Sequence, residues 1–264
     1  MRIRDYELIR QLGEGGFGRT YEALHVGLDA KACLKQNINI TDDDAELLRK
    51  EARILYNNPH HSLPSVHDFF RHTDGSHIMV MGFAEGKGLE KVIAKHTALH
   101  PEEVCWISQR LLNALYYLHC KGIVHGDVKP SNVIVNAKEH NAVLIDLGLA
   151  SIHPNHTTKS SGYTKIFSAP EVIAGRPPLP ESDLYGLGAT MIYALGGDPN
   201  SKALPEYIPG PLRDFCNSLV HFNPLDRPNW EKQDLISALS NVREDVFGRK
   251  ISFKQPIVCK TKED

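Results

Sequence analysis

The local patterning of this 264-residue chain changes character near Gly86, and that change constrains the fold more than any other feature. From Tyr6 to about Met81, short β-branched and aromatic runs such as RTYEAL and HIMVM alternate with Gly- and Asn/Asp-type breaks, the pattern of strands and turns. One helix interrupts them: Thr41, with Asp44 three residues on, makes a capping start, and Leu47, Leu48, Ala52, Ile54 and Leu55 follow at helical spacing. Beyond Gly86 helices dominate. Pro101, Glu102 and Glu103 suit a first turn, Val104, Ile107, Leu111, Leu115 and Leu118 share one face, and Gly122 is the stop. The stretch IVHGDVKPSNVIVNAKEHNAVLID reads as a loop followed by a two-stranded ribbon, and ATMIYALGG and DLISALSNV read as further helices. The expected fold is α+β in two unequal lobes, a small antiparallel sheet with one helix and a larger, mainly helical body, joined near Gly82 to Glu85.

Composition narrows the class of partner. With 41% hydrophobic and 23% charged residues the chain has apolar side chains for one or two cores, which excludes disorder, collagen and coiled coil. Thirty Lys and Arg against 32 Asp and Glu leave a net charge of -2, so neither a nucleic-acid nor an anionic-membrane partner is expected. Cys33, Cys105, Cys120, Cys216 and Cys259 are scattered without a Cys-x-x-Cys pair, the pattern of free thiols in a reducing compartment rather than a zinc site. The start MRIRDYELIR carries no signal-like apolar run, and no apolar stretch of about 18 residues occurs, so a cytoplasmic location is expected.

Three patterns carry chemistry. Gly13, Gly15 and Gly18 form G-x-G-x-x-G, but RTYEAL follows and alternates like a strand; a dinucleotide-binding turn would need a helix there. A strand, glycine turn and strand make instead a flap able to close over phosphates, since no Cβ intervenes. Glu51 lies on the apolar face of its helix, where a carboxylate requires a cation; Lys35, at the end of KACLK, is the candidate, and surface pairing with Arg49 or Lys50 fits poorly because both face away. Asp127, Asn132 and Asp146, in IVHGDVKPSNVIV and LIDLGLA, supply hard oxygen ligands suited to Mg2+ on nucleotide phosphates. The joint pattern H-x-D-x-K-P-x-N followed by D-x-G is hard to obtain by chance.

These parts occur in the order found in eukaryotic-type Ser/Thr protein kinases, and from about Tyr6 to Asn241 the chain resembles that family, as a bacterial-like member with a His-Gly-Asp catalytic loop. The resemblance implies an N-lobe over 1–82, a hinge over 83–85, a C-lobe over 86–247 and a C-terminal tail over 248–264. It implies transfer of the γ-phosphate of ATP, with Mg2+ or else Mn2+, to Ser/Thr hydroxyls of protein substrates, with autophosphorylation as an option. Gly13, Gly15, Gly18, Thr20, Cys33, Lys35, Met81, Phe83, Ala84 and Ile134 would bind ATP, with Met81 as gatekeeper and Lys35 held by Glu51. Asp127 would be the catalytic base, Lys129 would steady the phosphate, and Asn132 and Asp146 would hold the metal. Thr157, Thr158, Ser160, Ser161 and Thr164 fall in the activation segment, and Thr164 matches the threonine that contacts base and lysine in Ser/Thr enzymes. Glu171 of Ser168-Ala169-Pro170-Glu171 would pair with Arg227, and Asp183 would hydrogen-bond the catalytic-loop backbone.

The sequence also departs from the family. Gly126 stands where most such kinases carry an arginine that pairs with an activation-segment phosphate, so activity is expected to depend little on phosphorylation there. Leu147 replaces the usual Phe after Asp146, Cys33 an adenine-roofing alanine, and Thr20 a valine. His-Gly-Asp with a downstream Asn also marks small-molecule phosphotransferases of the aminoglycoside or choline type; Lys129, Ala169-Pro170-Glu171, Asp183 and Arg227 argue against them. A catalytically inactive scaffold is the other alternative, against which Lys35, Asp127, Asn132 and Asp146 are all present. Of the 14 histidines, His60, His61, His67, His72 and His77 read as turn and surface residues, and His125 as a packed imidazole beneath Asp127.

Overall fold

The computed structural model describes residues 1–15, 18–160 and 162–250. Ser161, Cys259 and the tail from Ile251 onward lie outside the described residues. Two compact units form, Met1–Ala84 and Glu85–Asp264, and the architecture is α+β.

In the first unit, strands β1 (Arg2–Ile3), β2 (Tyr6–Gly15), β3 (Gly18–His25), β4 (Ala30–Gln36), β5 (Val66–Arg71) and β6 (His77–Gly82) make one antiparallel sheet in the order β1-β2-β3-β4-β6-β5. Ile3, Ala23, Ala32, Leu34, Phe70, Ile78 and Val80 form its core cluster, with Tyr6, Leu8 and Tyr21 packed against it. Helix α1 (Asp42–Asn57) starts where Thr41 Oγ1 accepts a hydrogen bond from the Asp44 amide at 3.2 Å, and Asp42, Asp43 and Asp44 favour the positive end of the helix dipole. It packs on β5 and β6, burying Leu48, Ala52 and Leu55, the two leucines worth about 1.5–3 kcal/mol each. β1, ahead of Tyr6, was not visible in the sequence pattern because two residues carry no period.

The second unit contains β7 (Lys87–Gly88), α2 (Leu89–His96), α3 (Pro101–Cys120), β8 (Ile123–Val124), β9 (Val133–Asn136), β10 (Asn141–Leu144), β11 (Ser151–Ile152), α4 (Pro170–Ile173), α5 (Pro180–Ala194), α6 (Gly210–Leu219) and α7 (Leu235–Phe247). Its centre is α3 and α5, which pack on each other; from Ser182 to Ile192 every α5 residue is buried. A helix buried all round needs no polar face, which is why SDLYGLGATMI shows little helical period. α3 begins with Pro101 at its first turn, and His100, not foreseen as a cap, accepts the Glu102 amide through Nδ1 at 3.2 Å. α3 packs on α7 and on the β9–β10 ribbon, whose register pairs Val133 with Leu144 and Asn136 with Asn141. Asp234, read from sequence as the first residue of a helix, is instead the N-cap of α7, its carboxylate accepting the Ile236 and Ser237 amides. Among the described residues no helix is long and apolar enough to cross a membrane.

Candidate active site

The first unit builds the nucleotide-type features from adjacent strands. β2 and β3 meet at the glycine turn, with Gly13 opposite Thr20 and Gly15 opposite Gly18. Gly18 has φ +146°, and a Cβ there would stand 2.5 Å from the Gln36 carbonyl oxygen, so only glycine fits this close approach of β3 to β4. β4 carries Cys33 and Lys35, opposite Met81 and Met79 of β6 respectively, and Thr20 lies opposite Lys35. Lys35 Nζ lies 2.7 Å from Glu51 Oε2, with both side chains buried. Removing either member would leave a buried charge without this partner, at a cost of about 3–5 kcal/mol. Burial pushes the Cys33 thiol up to about 11, so at neutral pH it is a small, neutral side chain. Met81 is buried, and the Lys31 ammonium lies 5.0 Å from the centre of the Phe83 ring, with Ala84 closing the unit.

The second unit assembles a polar cluster on one short loop. After β8 the chain passes through buried His125, half-buried Gly126 and buried Asp127, then a 3-10 turn, Pro130–Asn132, leads into β9, which carries Ile134. Asp127 Oδ2 accepts from Lys129 Nζ at 2.7 Å and from Asn132 Nδ2 at 2.9 Å, and Oδ1 accepts from the Thr164 hydroxyl at 3.0 Å. The same hydroxyl accepts from Lys129 Nζ at 2.9 Å. Four residues spread over 38 positions thus share one bonded cluster. The Asn132 amide nitrogen also donates to the Asp127 carbonyl at 2.9 Å, which commits its nitrogen to the loop and leaves its oxygen the acceptor role. The Ile145 amide donates to the Asn132 carbonyl at 2.9 Å, so Asp146, in a left-handed conformation at φ +65°, follows directly on a residue tied to Asn132. Two hard oxygen donors on adjoining elements suit a divalent cation that keeps waters and phosphate oxygens as its other ligands.

The loop is held from below. Asp183 of α5 accepts the His125 amide at 2.7 Å and the Gly126 amide at 2.8 Å. Glu171 of α4 receives a two-pronged Arg227 guanidinium at 2.7 and 2.8 Å and the Ser182 hydroxyl at 2.6 Å. His125 is fully buried; its Nδ1 accepts the Asp127 amide at 3.3 Å, and its Nε2 has no hydrogen-bond partner among the described residues. Between Asp146 and Glu171, Thr157 and Thr158 bond to Asn155 and Ser160 to the Gly162 carbonyl, while Ser161 lies outside the described residues. Residues 6–207 match the family model described as the protein kinase domain.

The chain belongs to the protein kinase domain family. Members of this family use ATP with a divalent metal. The kinase domain is 32% identical over 219 residues to serine/threonine-protein kinase D of Synechocystis sp., covering 76% of this chain and 41% of that protein. It is 28% identical to serine/threonine-protein kinase F of the same organism, over 84% of this chain and 52% of the relative, and 27% identical to serine/threonine-protein kinase TIO of Arabidopsis thaliana, over 95% and 20%. The chain therefore spans about half the length of these relatives or less.

Two residues beneath the loop of this kinase domain escaped the sequence reading, His119 of α3 and Trp230. His119 Nε2 lies 2.8 Å from Asp183 Oδ2, and the Trp230 indole donates to His119 Nδ1 at 2.7 Å. No local pattern marks a contact 111 residues apart in sequence. Gly126 is explained by the backbone: at φ +81° a Cβ would stand 2.8 Å from the Leu149 carbonyl oxygen. Gly126→Arg is expected to lower stability by about 1–3 kcal/mol through left-handed strain and that clash, without creating phosphate-dependent activity. A thermal melt, together with assays before and after phosphatase treatment, checks both parts.

Proposed function

We propose that this chain transfers the γ-phosphoryl group of ATP to serine and threonine hydroxyls of protein substrates. The observation that carries the reading is the bonded cluster of Asp127, Lys129, Asn132 and Thr164, which couples a carboxylate able to accept a proton to a cation and to an activation-segment hydroxyl. In this reading the substrate oxygen forms the new bond to phosphorus as the bond to ADP breaks, and Asp127 accepts the hydroxyl proton. Lys129 steadies the transferred group, and Lys35, oriented by Glu51, holds the nucleotide's other phosphates. Gly13, Gly15 and Gly18 cover the phosphates, while Thr20, Cys33, Met81, Phe83, Ala84 and Ile134 surround the base. Asn132 and Asp146 would hold Mg2+, or Mn2+ in its place, which when bound neutralises charge on the phosphates.

Homologues named as serine/threonine-protein kinases support this acceptor class, and so does Thr164 beside Asp127. A net charge of -2 supports protein rather than nucleic-acid or membrane partners, and the four described cysteines, all free, support a cytoplasmic setting. Radiolabel transfer from Mg-ATP to a generic protein substrate and, in parallel, to an aminoglycoside tests the reading, with Asp127→Asn as the control. Labelling of the aminoglycoside alone, or labelling equal in wild type and variant, overturns it.

Activation-segment phosphorylation has no arginine at position 126 to receive it, and the Thr157, Thr158 and Ser160 hydroxyls already bond within their own loop. Alanine at Thr157, Thr158, Ser160 and Ser161 together should therefore leave most of the turnover in place. Complete loss of phosphate transfer in the fourfold variant would contradict this.

A further inference from the structure

We infer that Trp230 is a positioning residue for the loop bearing Asp127, because its indole N–H selects the one tautomer of His119 that can hold Asp183. The inference rests on the kinase reading only for its kinetic consequence; the hydrogen-bond relay stands by itself. Trp230 Nε1 is a donor only, so at 2.7 Å His119 Nδ1 must present a lone pair. In the neutral ring the proton is then on Nε2, and it is donated to Asp183 Oδ2 at 2.8 Å. The opposite tautomer would face N–H against N–H at Trp230 and lone pair against carboxylate at Asp183. The His119 and Asp183 side chains are 2% and 1% exposed, so water cannot repair either mismatch.

Asp183 passes the constraint on. Oδ2 also accepts the His125 amide, and Oδ1 accepts the Gly126 amide, so among the described residues the three bonds of the carboxylate reach either His119 or the two residues directly before Asp127. Trp230 is itself placed by the turn after Arg227, where Asn229 accepts the Lys232 and Gln233 amides, and by an aromatic contact with Tyr116 at 5.1 Å. Packing and donation are therefore separable: phenylalanine keeps the ring contact and removes the N–H.

In the unliganded chain, Trp230→Phe should speed amide hydrogen exchange at His125 and Gly126 by about fivefold, the loss of one buried neutral hydrogen bond. Turnover should fall by a similar factor, with KM for ATP unchanged. His119→Leu can neither accept from Trp230 nor donate to Asp183, so in that background Trp230→Phe should leave both amides as they were. A role in packing alone predicts the same acceleration in both backgrounds, and that result, or wild-type exchange at both amides in the single variant, overturns the inference. Imidazole nitrogen shifts give a reading that needs no second variant: wild-type His119 protonated at Nδ1 overturns it as well. Absence of phosphate transfer by the wild-type chain would remove the kinase reading, while exchange and nitrogen shifts, which use no ATP, would still decide the relay.

Discussion

Asp127→Asn is expected to lower turnover by about 10²–10⁴-fold, the usual contribution of a positioned general base, with ATP affinity and thermal midpoint close to wild type. The substitution keeps the shape of the side chain. Its amide oxygen can take the place of Oδ2, which accepts from Lys129 and Asn132, and its NH2 that of Oδ1, where the Thr164 hydroxyl can turn to accept. What disappears is the charge and the capacity to take a proton. Single-turnover labelling with saturating Mg-ATP separates the two effects, because a defect in nucleotide binding would be overcome by concentration and a defect in proton acceptance would not. A variant retaining more than a tenth of wild-type turnover would remove Asp127 from the base role.

Arg227→Ala is expected to cost about 3–5 kcal/mol, the penalty for leaving a buried carboxylate without its cation. At about 2–4 °C per kcal/mol this is a fall of roughly 10 °C in thermal midpoint. The estimate stands at the upper end for a surface-distant arginine because all five of its N–H groups are engaged: two on Glu171 and one each on the carbonyls of His221, Glu181 and Phe222. The pH dependence gives a second signature. Burial pushes the Glu171 carboxyl up, but hydrogen bonds from Arg227 and Ser182 outweigh it and hold the group below the ordinary glutamate range. A carboxyl depressed on folding stabilises the protein above its unfolded pKa, and that contribution is lost as the pH falls through the folded value. In Arg227→Ala burial, the largest influence, meets only the Ser182 hydroxyl and a backbone amide, and the carboxyl rises. The deficit relative to wild type should be widest at neutral pH and narrow on acidification. Denaturant titrations at neutral and acidic pH check this, and a deficit that does not change with pH would contradict the account of the pair.

The sequence made legible those features whose cause is local. Thr41 ahead of Asp44, Pro101 at the start of α3 and the alternation of RTYEAL each follow from chemistry within a few residues, and the elements stand where those residues put them. Glu51 was legible for a different reason: a carboxylate on an apolar helix face needs a cation, and the structure places Lys35 Nζ 2.7 Å away. The positions of Asp127, Asn132 and Asp146 came from motif order, which carries no coordinates; the contact of Thr164 with Asp127 and Lys129 came only from the family resemblance, and the structure has the Thr164 hydroxyl 3.0 Å from Asp127 Oδ1 and 2.9 Å from Lys129 Nζ. α2 and α6 were missed because eight and ten residues give little room for a period to declare itself. His119 and Trp230 were missed because tryptophan and histidine in those surroundings look like ordinary packing, and only the third dimension brings the indole N–H to the imidazole.

Arg227 and Trp230 stand three positions apart, one gripping Glu171 of α4, the other bonded through His119 to the carboxylate under His125 and Gly126. A single turn of backbone thus serves two masters. Linkage would make that sharing two-way: a ligand that strengthened the Glu171–Arg227 pair through this turn would favour the bonded state of the loop before Asp127, and one that tightened the loop would favour the pair by the same factor.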